Sequence, residues 1–236
     1  MKKRAKRKPK GSPLKAIAKW SAVPFAVIFV ITNLQVLALR FFNPPSTSFM
    51  IWQSLRGKVS TREPKSLAYW CKLKDISPYL RKAVLAGEDQ RFLTHHGFDI
   101  IELEGAIKDL ARKKAKRGAS TITMQVARTV YLWPGRSWLR KVIEAYYTVL
   151  IELYWTKPRI LEVYLNTVDW GTGIVGAEAA ARKYFHVSCK RISKSQAAAL
   201  AAVLPSPHKW SPAHPNRHVR KREIRILRDM DRMPLL

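Results

Sequence analysis

Residues 77–97 have the sequence SPYLRKAVLAGEDQRFLTHHG, and this stretch decides the fold class. It begins with Ser77 and Pro78, which predict a helix start because serine is a favoured N-cap and proline is favoured in the first turn. From position 80, every fourth residue falls on one slowly drifting helix face: Leu80, Val84, Glu88 and Phe92. The stretch therefore predicts a helix whose apolar face also carries a carboxylate.

Helical patterns continue through most of the chain beyond this stretch. Asp99 and Glu102 form a capping-box pattern, which predicts a helix to about Ala115. Further helices are predicted over residues 119–132, 137–155, 157–166, 177–185, 193–204 and 217–230. Residues 48–53 favour a short strand, and the glycines at 171, 173 and 176 favour a flexible loop. The sequence predicts a mainly α domain over residues 74–236.

A membrane anchor is predicted before this domain. Residues 20–39 carry no charge, and nine lysines and arginines precede them without an acidic residue. A helix of this length covers about 30 Å, the thickness of a hydrocarbon core. The positive-inside bias makes residues 1–19 a cytoplasmic basic arm and residues 20–40 a transmembrane anchor. A cleaved signal peptide is disfavoured because the apolar run is long and no small-x-small site follows. Residues 41–73 are predicted to be a linker and membrane-proximal segment.

The net charge of +28 exceeds what the basic arm supplies, so the outer domain is basic as well. Basic surfaces attract phosphates, which are found in nucleic acids, anionic lipids and phosphorylated substrates. The anchor favours lipid over nucleic acid, because it holds the domain at a phosphate-rich surface. Cys71 and Cys189 allow one disulfide outside the cytoplasm, and two buried free thiols are the alternative.

Glu88 is the first candidate for chemistry. Partial burial on the apolar face should raise the pKa of its carboxyl group and suit it to act as a general base or acid. The alternative is a glutamate at a helix end that is bonded to a neighbouring arginine. Asp89, His95 and Asp99 follow closely and form a dense polar cluster near Gly97, which favours a functional role.

Two further groups share helix faces. Glu144 lies four residues after Arg140 and three after Lys141, and an ordinary surface ion pair is the alternative to a functional role. The other face offers a hydroxyl, an amide and a guanidinium group, which suits phosphate and sugar hydroxyls unless the face is only solvated. Its members are Thr121, Gln125 and Arg128, with Ser120 beside them.

Five ordered motifs cover residues 82 to about 207. Residues 88–97 (EDQRFLTHHG) fit E-D-x-x-F-x-x-H-x-G, and residues 118–125 (GASTITMQ) fit G-x-S-T-[IL]-[TS]-x-Q. Residues 140–144 and 159–166 fit R-K-x-x-E and R-I-L-x-x-Y-L-N, and residues 171–185 resemble G-x-G-x-x-G-x-x-A-A-x-x-Y-F with one additional residue before Tyr184. Together they resemble the glycosyltransferase family that polymerises peptidoglycan, family 51. Residues 131–141 and the chain length are most similar to its monofunctional Gram-negative members.

The resemblance implies a lysozyme-like α fold and two catalytic residues, Glu88 and Glu144. The implied substrate is lipid II, a disaccharide-pentapeptide carried on undecaprenyl pyrophosphate. The implied substrate-binding residues are Asp89, Phe92, His95, Gly97, Ser120, Thr121, Gln125, Arg128, Arg140 and Lys141. Two positions depart from the family pattern, which usually has Lys-Asn at 128–129, where this chain has Arg-Thr, and a glutamine at 124, where Met124 suggests packing.

In the mechanism that the resemblance implies, Glu88 takes the proton from the acceptor 4-hydroxyl group, and the α-linkage of the donor is inverted to a β-1,4 bond. Arg128, Arg140 and Lys141 stabilise the pyrophosphate leaving group. Glu144 orients these cations or helps to hold a divalent cation, Mg²⁺ or Mn²⁺.

The resemblance also implies a place and partners. The expected location is the bacterial inner membrane, with the domain in the periplasm, and the expected partners are the growing glycan strand and proteins of a cell-wall synthesis complex. The chain leaves no room for a transpeptidase domain. A nucleic-acid-binding protein is disfavoured by the anchor and by the lack of a recognised motif. A lytic hydrolase would use two carboxylates, but the R-K-x-x-E motif and the basic surface favour a pyrophosphate donor.

Overall fold

The computed structural model describes residues 13–55, 69–112, 118–135 and 137–236 of the chain. Within these ranges ten α-helices and one two-stranded antiparallel sheet are formed, so the predicted mainly α fold class is confirmed. The helices are α1 (Pro13–Phe41), α2 (Ser48–Leu55), α3 (Pro78–Glu88), α4 (Ile100–Ala111), α5 (Ile122–Tyr131), α6 (Trp138–Tyr154), α7 (Lys157–Thr167), α8 (Ala177–Phe185), α9 (Lys194–Val203) and α10 (Arg217–Asp229). The strands β1 (Asp169–Gly171) and β2 (Ile174–Val175) lie between α7 and α8.

Side-chain caps set most of the helix starts. The side-chain oxygens of six residues accept hydrogen bonds from backbone N–H groups of the following first turn: Asp99, Thr121, Ser137, Thr156, Ser193 and Asn216. These bonds satisfy donors that a helix start leaves unpaired. Ser77 precedes α3 as predicted, but its hydroxyl donates to the Ile192 carbonyl at 2.7 Å and so ties α3 to the segment before α9.

Two helix groups build the core of the domain. In the first, α3 packs between α9 and α10, and in the second, α5 packs against α6 and α7. The α9 face towards α3 is rich in alanine, and short side chains let the two backbones approach closely: Ala197, Ala198, Ala201 and Ala202 are all fully buried. This packing carries the carboxyl end of α3, where Glu88 lies, towards both α5 and α10.

Helix α1 contains one span, Val23–Phe41, that is long and apolar enough to cross a membrane. Residues 1–12, most of the predicted basic arm, lie outside the described residues. The span covers about 28 Å at 1.5 Å per residue, which is close to the thickness of a hydrocarbon core. Its polar residues Thr32 and Asn33 have partners on helix α6 of the domain.

The C-terminal half of α1 docks on α6. Tyr146 Oη lies 2.7 Å from Thr32 Oγ1, and the Tyr154 hydroxyl donates to Asn33 Oδ1 at 2.7 Å. The indole of Trp155 donates to the Val36 carbonyl at 2.7 Å, and Val36 is fully buried in the core. The anchor is therefore packed against the domain as well as connected to it through residues 41–73.

Three local predictions were wrong or incomplete. Residues 48–53 form part of α2 instead of a strand, because Thr47 starts a helix by accepting from the Met50 N–H at 3.2 Å. The predicted flexible loop is the β1–β2 hairpin, since positive φ angles at its glycines permit a tight reversal, and Trp170, just before the first of them, is fully buried. Helix α4 ends at Ala111, and residues 113–117 lie outside the described part of the chain.

Candidate active site

Glu88 is the last residue of α3 and lies between α5 and α10. Its side chain is 12% exposed. Burial raises the pKa of this carboxyl group above its usual value, although Arg222, Gln125 and Arg128 oppose the rise. The predicted direction of the pKa shift is confirmed, and the cause is the predicted one, loss of solvent around the charged form.

Both oxygens of Glu88 are held by side chains from other helices. Gln125 Nε2 donates to Oε2 at 3.0 Å, and Arg222 Nη2 donates to Oε1 at 2.7 Å. The buried Tyr164 hydroxyl in turn donates to Gln125 Oε1 at 3.2 Å, which fixes the amide with its nitrogen towards Glu88. Burial, together with the nearby Glu88, raises the pKa of Tyr164 well above its usual value, so it remains a donor. The carboxylate is thus oriented directly by Arg222 and by Gln125, and Tyr164 fixes Gln125 in turn.

Arg222 on α10 is a site residue that the sequence analysis missed. It also donates to the Gly87 carbonyl at 2.7 Å, so it grips the end of α3 twice. Gly87 makes this approach possible, because a Cβ there would lie 3.1 Å from Ile226 Cδ1. The only sequence signal was the strongly basic, amphipathic pattern of residues 217–230, which does not indicate which arginine points inwards. The arginine partner considered for Glu88 thus exists, but it is not a neighbour in the sequence, because it lies 134 residues further along the chain.

Asp89 and His95 form a hydrogen-bonded pair close to Glu88 in the sequence. His95 Nε2 lies 2.9 Å from Asp89 Oδ1, and the Ile122 backbone N–H donates to Asp89 Oδ2 at 3.0 Å. Because Ile122 is the first residue of α5, its hydrogen bond to Asp89 fixes the loop after Glu88 to the helix that carries Gln125. This geometry lets Asp89 and His95 position the site, and their predicted contact with substrate stays a prediction.

Phe92 and Gly97 anchor the same loop from within. Phe92 is 1% exposed, and the ammonium group of Lys157 lies 4.5 Å from the centre of its ring. Gly97 has a φ of +89°, and a Cβ there would lie 2.7 Å from Thr148 Cγ2. Its carbonyl accepts from the hydroxyl of Thr121, which is itself buried as the N-cap of α5. These three residues shape the loop from the protein side.

Arg128 presents a different environment on α5. It is half-buried, and its guanidinium makes no hydrogen bond or ion pair with the described residues, yet its charge is close enough to lower the pKa of Glu88. Ser120, also half-buried, lies in the segment before α5. A guanidinium that has no ion-pair partner among the described residues can bind a phosphate group near the Glu88 carboxylate. Met124 is buried and packs, as its departure from the family motif suggested.

Glu144 forms a second charged cluster on α6, the helix packed against α5. Its side chain is fully buried, so the alternative of a surface ion pair is wrong. Arg140 Nη1 lies 3.3 Å from one carboxylate oxygen and Lys141 Nζ lies 2.5 Å from the other. The Lys141 side chain is half exposed, whereas Arg140 is buried and its Nε has no hydrogen-bond partner in the described structure. Among the residues that the structure describes, no hydrogen bond or ion pair links Glu144, Arg140 or Lys141 to Glu88.

A divalent cation finds a poor set of ligands here. Asp89, His95 and Asp99 have ligand atoms within 4.8 Å of one another. However, both Asp89 oxygens already accept hydrogen bonds, and the Arg91 guanidinium pairs with Asp99. Mg²⁺ and Mn²⁺ prefer oxygen ligands, and this group offers an imidazole beside a guanidinium. These residues do not fit a divalent cation, and Glu144, which the resemblance implies as its holder, already pairs with Arg140 and Lys141, so we assign no step to the cation.

Comparisons with known proteins identify the family of the chain. A family model described as transglycosylase matches residues 56–231. The chain is 48% identical over 198 residues to a biosynthetic peptidoglycan transglycosylase of Pseudomonas entomophila, with 84% of each chain covered. It is 42% identical over 222 residues to the protein of the same name from Bacteroides thetaiotaomicron, with 94% of this chain and 90% of the relative covered. A Pseudomonas aeruginosa relative of that name is 47% identical over 195 residues.

Proposed function

Since this chain belongs to the transglycosylase family and is a peptidoglycan glycosyltransferase of cell-wall synthesis, we propose that it polymerises lipid II with Glu88 as the general base. The observation that carries this role is the raised pKa of a carboxyl group that Gln125 and Arg222 hold in one orientation. A base of this kind is most effective when its pKa lies near the working pH.

The reaction forms one bond and breaks one. The 4-hydroxyl oxygen of the acceptor sugar attacks the anomeric carbon of the donor while Glu88 takes the hydroxyl proton. The bond from that carbon to the pyrophosphate oxygen breaks with inversion, and undecaprenyl pyrophosphate leaves as an anion. A pyrophosphate is already a good leaving group, so the site needs positive charge more than a strong acid.

Arg128 and the cluster on α6 are suited to supply that charge. Arg128 has no competing ion pair among the described residues, and Lys141 is half exposed although it pairs with Glu144. Glu144 itself is fully buried between two cations, so its role in the proposal is to hold Arg140 and Lys141 in place. Cations fixed in this way stabilise developing negative charge without reorganising during the reaction.

The membrane anchor supports a lipid-linked substrate. We propose that the N-terminus is cytoplasmic and that the domain lies outside the cytoplasm, because the basic arm precedes the span. Apolar side chains are exposed on α4 and on α6, the helix on which α1 docks, and this suits a membrane surface: Ile101, Ile107, Leu110, Trp138 and Leu153. Holding enzyme and substrate in one plane raises their effective concentration.

Glu88→Gln tests the proposal directly. The amide nearly preserves the shape of the side chain but cannot take the proton, so polymerisation of labelled lipid II in detergent should fall about 10²–10⁴-fold. The matched control is Glu104→Gln on the exposed face of α4, which should leave the rate unchanged. Activity near wild type in Glu88→Gln, with unchanged thermal stability, would exclude Glu88 as the base. If the wild-type protein cleaved finished peptidoglycan and did not polymerise lipid II, it would be a lytic hydrolase.

A further inference from the structure

Cys71 and Cys189 lie 118 positions apart in the sequence, but their sulfur atoms are in contact. The contact lies where the membrane-proximal segment enters the domain. The Cys189 thiol donates to Cys71 Sγ at 2.8 Å. Cys71 lies just before the short 3₁₀ turn Leu73–Asp75 that leads into α3, and Cys189 opens the 3₁₀ turn between α8 and α9. The pair therefore joins the membrane-proximal segment to the core of the domain.

The backbone on both sides of the pair is fixed by hydrogen bonds. The Asn166 side chain accepts from the Cys71 N–H at 2.8 Å and donates to the Cys71 carbonyl at 2.8 Å. Glu178 accepts from the Cys189 N–H at 2.7 Å, and the Ser77 N–H donates to the Cys189 carbonyl at 3.0 Å. The thiols are thus held next to each other by contacts that do not involve sulfur, and a covalent bond between them needs little rearrangement.

The two thiols differ in reactivity. Cys71 is half-buried and can be reached from solvent, whereas Cys189 is 2% exposed. The hydrogen bond from Cys189 lowers the pKa of Cys71 and raises that of Cys189. Because the thiolate is the nucleophile in thiol–disulfide exchange, Cys71 is the attacking residue and Cys189 the resolving one.

We propose that Cys71 and Cys189 are a site of covalent oxidation and form a disulfide that clamps the membrane-proximal segment to the core. The inference rests on the placement of the domain outside the cytoplasm, where disulfides persist. The oxidant is a protein disulfide of the thiol–disulfide oxidoreductase class. Cys71 attacks one of its sulfurs and releases the other as a thiolate. Cys189, after losing its proton to solvent, attacks Cys71 Sγ, and the oxidant leaves as a dithiol that has gained two electrons.

A thiophilic metal ion is the competing occupant of this cluster. The ligand atoms of Cys71, Glu178 and Cys189 lie within 4.8 Å of one another. Glu178, however, is already committed, because one oxygen accepts from the Cys189 N–H and the other pairs with Arg182 at 2.6 Å. A structural zinc site also needs a fourth ligand. The disulfide loses only the weak contact from the Cys71 thiol to Glu178 at 3.7 Å, and the contacts of Glu178 with the Cys189 N–H and with Arg182 stay intact.

The first test counts free thiols in the full-length protein. Cells are quenched with acid, thiols are alkylated under denaturing conditions, and the intact mass is measured. We expect no alkylated cysteine without reductant and two after reduction. Reduced, purified protein is then incubated with oxidised glutathione, and an intramolecular disulfide should form again. Failure to form it in the purified protein overturns the inference, as does zinc bound at one equivalent. A disulfide that forms only in the purified protein overturns both the inference and the proposed placement of the domain.

The second test measures the clamp. Reductant should lower the Tm of the wild-type protein by about 5–15 °C, because the cross-link closes a long loop in the unfolded chain. The control is the double variant Cys71→Ala/Cys189→Ala, whose Tm should not respond to reductant. Equal responses of wild type and double variant, or no response in either, would refute the clamp. Lipid II polymerisation by either form separates this result from the proposed activity, which depends on Glu88.

Discussion

Replacing Arg222 with methionine should shift the pH dependence of polymerisation to higher pH. Arg222 Nη2 lies 2.7 Å from Glu88 Oε1, and this positive charge is the largest of the effects that oppose the pKa rise caused by burial. Methionine keeps the apolar stem but removes the charge, so the pKa of Glu88 should rise further. As the base, Glu88 must be ionised, and the acid limb of the activity profile should move with its pKa.

The structure sets the size of this shift. A pair of charges about 4 Å apart at the edge of a protein interacts with about 4 kcal/mol, and one pKa unit corresponds to about 1.4 kcal/mol. The guanidinium is 21% exposed, and solvent around it weakens the interaction. We therefore expect a shift of about 1–3 pH units. On the acid limb the rate should fall about tenfold per unit, whereas the plateau at high pH should largely survive.

The assay is kcat/KM for lipid II measured across pH, with thermal unfolding of each variant. Arg222→Lys keeps the charge and should leave the acid limb close to that of wild type. Arg220→Met changes an exposed arginine on the same helix and serves as the matched control. An acid limb that stays in place in Arg222→Met, or moves to lower pH, would refute the electrostatic coupling. A uniform loss at every pH would show that Arg222 acts by another route.

Three further predictions concern the supports of the site. Glu144→Gln should lower both turnover and the free energy of unfolding, the latter by about 2–4 kcal/mol, because Arg140 would remain buried without its carboxylate partner. Lipid II kinetics and urea unfolding measure the two effects. A loss of stability with unchanged turnover would make Glu144 purely structural. Gly97→Ala should destabilise by about 2–4 kcal/mol through a positive φ and a clash with Thr148, and an unchanged urea midpoint would contradict it. Asn33→Leu should weaken the docking of the anchor on Tyr154 by about 1 kcal/mol and lower the Tm of the full chain in detergent, whereas an identical Tm would show that the anchor is only a tether.

Local patterns in the sequence predicted the helices well, because their causes lie within a few residues. Helices α6 and α7 begin within one residue of their predicted starts, and residues 177–185 form α8 with the predicted bounds. The failures had nonlocal or subtle causes. Residues 48–53 are apolar enough for a strand, but they form a helix that Thr47 caps and that packs on α5.

The candidate site divides in the same way. Periodicity placed Glu88 on the buried face of α3, which is sufficient to predict the direction of its pKa shift, and spacing on α6 joined Glu144 to its two cations. No spacing rule connects Glu88 to Arg222, which lies 134 residues further along the chain. The same holds for the hydrogen bonds that attach the anchor to α6. Helix periodicity and capping act over a few residues and are written in the sequence, whereas the partner of a buried charge depends on how α3, α5 and α10 pack, and that is decided only when the whole core closes.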